Sequence, residues 1–109
     1  MNAINELAKL VKLMPEQARK RVDVYNEKDI EEFIAVHMVS TANKVDEGTK
    51  WERNAYYFVI KQHETLESYL TIYLFDEEIE DYVATVADEL LVSEALSFIK
   101  SMCGLKGEG

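Results

Sequence analysis

A chain of 109 residues, 48% hydrophobic and 30% charged, is long enough for one modest core and too apolar to stay disordered. Its single cysteine, Cys103, excludes an intrachain disulfide framework, and Glu6, Lys9 and Lys12 interrupt the first apolar stretch, so neither a secretory leader nor a membrane span is expected. The net charge of −9 is uneven: residues 1–21 carry +3, the other 88 carry −12, and positions 76–94 hold eight acids and no base. Such a surface repels phosphate, which argues against direct nucleic-acid binding and for a protein partner with a basic surface. The expectation is a soluble, cytoplasmic single domain over 1–103 with a flexible tail at 104–109.

In chain order, Ile4, Leu7, Leu10, Val11 and Met14 recur at helical spacing after a capping Asn2, and Pro15 opens a second short basic helix to about Val22. Residues 22–25 read equally well as extended chain. Ile30, Phe33, Ile34, His37, Met38, Thr41 and Val45 then trace one helical face that ends at Gly48. Over 49–75, Thr49 and Glu52 form a capping-box pattern. Tyr56, Val59, Ile60, His63, Leu66, Leu70 and Tyr73 line one side of a long helix. The β-branched and aromatic density of 56–60 and 69–75 gives the rival, a hairpin turning at 63–67, but that turn has no Gly, Asn, Asp or Pro.

From Asp76 a further helix buries Ile79, Val83, Val86 and Leu90 and stacks Glu77, Asp81 and Asp88 into an acidic ridge, with Glu78 and Glu80 beside it. Past Leu90 the chain is apolar on every side. The fold this predicts is all-α, a compact bundle of four to five helices; the alternative is α+β, with one β-hairpin at about 56–75 packed on helices.

Catalytic equipment is sparse. The fragment His63, Glu64 and Glu67 resembles the zinc motif H-E-x-x-H with its second histidine replaced by a carboxylate, so a small metal-dependent enzyme is the weakest reading. His37 falls on an apolar face as a core histidine, Cys103 reads as a small hydrophobe, and no phosphate loop or nucleophile elbow is present. No cofactor, catalytic residue or metal ligand is assigned. The leading expectation is a non-catalytic regulatory or inhibitory module, of the kind phages and mobile elements encode. Its ridge of Glu77, Glu78, Glu80, Asp81 and Asp88 would occupy the basic nucleic-acid groove of a host protein. The alternative is an oligomeric structural or assembly protein, a homodimer through Leu91, Ala95, Phe98 and Met102 of its apolar C-terminal helix.

Overall fold

The computed structural model describes residues 2–19, 22–27, 30–37 and 56–103, with backbone alone at 17, 18, 26, 27 and 30–32. Its elements run helix α1 (Ala3–Lys12), the single helical turn α2 (Glu16–Arg19), strands β1 (Val22–Glu27), β2 (Ile30–His37), β3 (Tyr56–Gln62), β4 (Leu70–Asp76) and β5 (Asp81–Leu90), and helix α3 (Val92–Met102). The five strands form one antiparallel sheet in sequence order, a meander. Both long helices pack on the same face of it, giving two layers.

This overturns the all-α bundle. The first helix, its Asn2 cap and the turn after Pro15 are where periodicity places them: the Asn2 side chain accepts from Asn5 N–H at 3.2 Å. The helix expected from residue 30 is strand β2 as far as His37, and its remainder, like the Thr49 and Glu52 capping box, lies outside the described residues. The long helix over 49–75 is the rival hairpin, β3 and β4, and the helix from Asp76 is a turn followed by β5.

The misreading has a physical cause. Strands covered on one face and lined with aromatic rings on the other are apolar on both, so the polar/apolar alternation that marks a half-buried strand is missing. Ile34, Val36, Ile60, Leu70 and Ile72 point toward the helices and are completely or almost completely buried, against Ile4, Leu7, Ala8 and Val11 of α1 and Ala95 and Ile99 of α3. Each of these valine, leucine and isoleucine side chains stabilises the fold by roughly 1.5–3 kcal/mol on burial. Phe98 meets Phe58 edge-to-face at 5.1 Å, tying α3 to β3.

The β3–β4 turn needs no glycine because side chains satisfy its backbone. His63 Nδ1 accepts from the N–H groups of Thr65 and Leu66 at 3.1 and 3.0 Å, and Gln62 Nε2 donates to the carbonyls of Leu66, Glu67 and Tyr69. In the β4–β5 turn Asp76 Oδ1 accepts from Glu78 N–H at 2.9 Å, and Glu80 takes a left-handed φ of 55°.

Candidate functional site: the open face of the sheet

Every second strand residue points away from the helices, and the register sets those residues in rows across the sheet. His37 opposes Tyr57, Tyr57 opposes Phe75 and Phe75 opposes Tyr82. Their ring centroids are 5.4, 5.1 and 5.2 Å apart, a continuous aromatic ladder perpendicular to the strands from β2 to the sheet edge. Tyr73 adds a second contact to Tyr82 at 5.0 Å, and Tyr25 stacks on Phe33 at 4.7 Å on the β1 side. Ala35 and Val59 form the next row and are buried. No described helix or strand packs on this face.

Its polar groups sit at the margins. His37 Nε2 and Asp23 Oδ2 are 2.8 Å apart, both half exposed. At the opposite corner Thr71, buried, donates its hydroxyl to Asp88 Oδ1 at 2.7 Å. That bond first, and the Glu89 N–H second, hold the Asp88 carboxyl below the usual carboxylate range. His63 Nε2 lies 3.5 Å from the same oxygen, and because His63 Nδ1 accepts two amide N–H groups, the neutral ring carries its proton on Nε2. Tyr57 ionises with more difficulty than an ordinary tyrosine, through its burial and then the charge of Glu77.

The acidic ridge does not exist as a helix face. Glu77, Glu78 and Glu80 lie in the β4–β5 turn, and Asp81 opens β5 with its Oδ1 on Tyr82 N–H at 2.7 Å. Asp88 sits near the far end of that strand, on the order of 20 Å from Asp81 at strand rise. The structure therefore groups four of the five acids with Asp76 beside one end of the ladder and sends the fifth to the opposite corner. The C-terminal helix is apolar for an internal reason. Ala95 is fully buried, Phe98 and Met102 pack on the core, and Leu91, 46% exposed, is the one exposed member of the four. Three of the four residues expected at a dimer contact thus pack within this chain.

His63 is committed to its turn, and Glu67 uses its backbone carbonyl there. Among the described residues no three His, Cys, Asp or Glu side chains converge to hold a metal ion. Cys103 packs at the end of α3 against the core, on the other side of the sheet from the His37 and Asp23 pair. No described helix is long and apolar enough to cross a membrane. Sequence reasoning missed the ladder. Its trace was two aromatics, Tyr57 and Phe75, falling on otherwise polar positions of the supposed long helix. Comparison with protein-family models, curated proteins and solved structures finds no match.

Proposed function

We propose that the chain is a non-catalytic protein-binding module, regulatory or inhibitory in effect, acting in a reducing, cytoplasm-like compartment, with the open sheet face as its contact surface. The observation that carries this is the aromatic ladder of His37, Tyr57, Phe75 and Tyr82, with Tyr82 43% exposed at the sheet edge. Large aromatic side chains bring much contact area at low entropy cost and are the residues most enriched in protein interfaces. Exposed apolar side chains adjoin it: Tyr82 at the edge of the ladder, Ile79 in the β4–β5 turn and Val83 and Val86 along β5 are four of the nine large hydrophobics exposed among the described residues.

The partner is a protein, met without a row of carboxylates spaced like phosphates, since that spacing requires a helix. The lone Cys103 supports the compartment, because no intrachain disulfide is available to a secreted form. The test is photo-crosslinking in cells of the native source, with the probe at Tyr82 on the open face or at Lys9 on the outer side of α1. A partner captured from Tyr82 and not from Lys9 is the expected result. Equal capture from both positions, or none from Tyr82, removes the reading.

A further inference from the structure

We infer that the open face takes a cationic, amphipathic segment of a partner protein, its apolar side laid along the ladder of His37, Tyr57, Phe75 and Tyr82 and its basic side chains over the 76–81 hairpin. This rests on the protein-binding reading and names the chemistry of the occupant.

The direction of the ladder sets the shape. It crosses three strand-to-strand steps, about 15 Å, the length of roughly ten residues of α-helix. It is not closed at the β5 edge. β5 has ten residues against seven in β4, and the register jumps three times to absorb the difference. Val83 and Val86 fall at two of those jumps, have no partner in the β4 register, and are 44% and 45% exposed. They carry the apolar surface beyond Tyr82 around the edge. The same bulges make β5 a poor template for an added strand, which favours an occupant lying across the face over one that extends the sheet.

Charge selects the occupant. Glu77, Glu78 and Glu80 form the turn just beyond Phe75 and Tyr82, so three acids border that end of the ladder, while Asp76 and Asp81, the next pair in register, alternate to the helix side of the sheet. Asp23 and Asp88 stand at other margins. Lys61 is the one lysine or arginine among the described residues that point to this face, and it lies 5.7 Å from the Tyr82 ring centroid, so that ring already accepts a cation. The field of Glu77 reaches into the ladder, where it resists ionisation of Tyr57. A stacking platform for single-stranded nucleic acid has the same rings but a basic border, the opposite of this one. A second copy of the chain brings another net charge of −9 and the same acidic margin to the contact.

The experiment titrates the full chain with a Lys/Leu amphipathic helix of about 12 residues, its Glu/Leu counterpart, an oligolysine of equal charge and a single-stranded DNA. NMR follows backbone and aromatic resonances. The expected result is that the Lys/Leu peptide binds at least about tenfold more tightly than the other three and shifts the rings of Tyr57, Phe75 and Tyr82 while leaving Leu7 and Ile99 unmoved. Tyr82→Ser, and separately the triple variant E77Q, E78Q, E80Q, each weaken it by about fivefold or more. Unchanged Leu7 and Ile99 signals report that either variant is folded.

Oligolysine or the Glu/Leu peptide binding equally well overturns the inference, as does tighter DNA binding. It fails too if the free protein shows the ladder rings already covered, by residues 38–55 or by a second copy seen in sedimentation. A partner captured from Tyr82 that docks through an acidic or uncharged surface defeats this inference and leaves the protein-binding reading standing. Loss of the Tyr82 crosslinking preference removes both.

Discussion

The side-chain oxygen of Gln62 accepts a 3.0 Å hydrogen bond from Ile4 N–H, joining the start of helix α1 to the end of strand β3 across 58 residues. The amide nitrogen of the same side chain donates to the carbonyls of Leu66, Glu67 and Tyr69, and Glu67 O also accepts from Ala3 N–H at 3.0 Å. One glutamine thus closes the β3–β4 turn and satisfies an amide that the first turn of α1 leaves without a helical partner. Gln62→Ala removes four side-chain hydrogen bonds, two of them half-buried and two exposed, and is expected to cost about 2 kcal/mol. Gln62→Glu keeps the acceptor for Ile4 but turns the donor into a second acceptor facing three carbonyls, so it is expected to destabilise at least as much. Urea unfolding of the three proteins checks this; a Gln62→Glu protein as stable as the parent would sink it.

The same glutamine explains how far the fold was legible. Helix α1 was, because Ile4, Leu7, Ala8 and Val11 repeat on one stripe between charged neighbours. The strands were not, because Val59 and Ala35 on the open face are as buried as Ile60 and Ile34 on the helix face, and a run without alternation fits either structure. The hairpin at 56–75 carries no Gly, Asn, Asp or Pro at its turn, and what replaces that residue is long-range: Gln62 and His63 are turn formers only in the company of each other and of α1. The sequence pattern joins Glu77, Glu78, Glu80 and Asp81 to Asp88 on one helix face, whereas their separation from Asp88 and their place beside Phe75 and Tyr82 follow from strand register, which a helical reading cannot produce.

The Asp88 carboxyl is held below the ordinary carboxylate range, first by the Thr71 hydroxyl, then by the Glu89 N–H and to a lesser degree by His63. The sign follows from linkage: a folded-state pKa below the unfolded value of about 3.9 means stability that is present above that pH and lost as pH falls through the folded value. Thr71→Val removes the largest cause. An NMR titration of the Asp88 side chain is expected to move up toward the ordinary range in Thr71→Val and to stay put in a Tyr25→Phe control. An unmoved titration in Thr71→Val would show that the hydroxyl is not the cause.

Tyr57 behaves in the opposite sense. Its folded-state pKa lies above the ordinary tyrosine value of about 10, first through burial and then through Glu77, so its contribution is complete below that pH and is lost as pH rises through the folded value. Between about pH 9 and pH 11 the parent is therefore expected to lose more stability than Tyr57→Phe, which keeps the ring contacts to His37 and Phe75 and has no proton to lose. Glu77→Gln, removing the second cause alone, is expected to lower the Tyr57 transition without returning it to the ordinary value. Urea unfolding at each pH reads the first and ultraviolet difference titration of the phenolate band the second, and equal alkaline losses of stability in parent and Tyr57→Phe would contradict the assignment.

The C-terminal helix separates a packing role from an interface role by single substitutions. Ala95 has no exposed surface and Phe98 meets Phe58 edge-to-face, whereas Leu91 stands outward just before the helix, its N–H donating to Glu94 Oε1 at 2.9 Å. Phe98→Ala is accordingly expected to cost about 3 kcal/mol, the lower end for losing a buried aromatic, because Phe98 is only partly covered. Ala95→Leu forces added volume into a filled site at about 1–3 kcal/mol. Leu91→Ser, which keeps the backbone bond to Glu94, is expected to change stability by less than about 0.5 kcal/mol. A helix serving as a dimer interface predicts the reverse order: Leu91→Ser shifts the sedimentation coefficient toward the monomer, and Phe98→Ala does so without unfolding. Thermal unfolding and sedimentation velocity on the same three variants distinguish the two, since only packing inside one chain lowers the melting temperature independently of protein concentration.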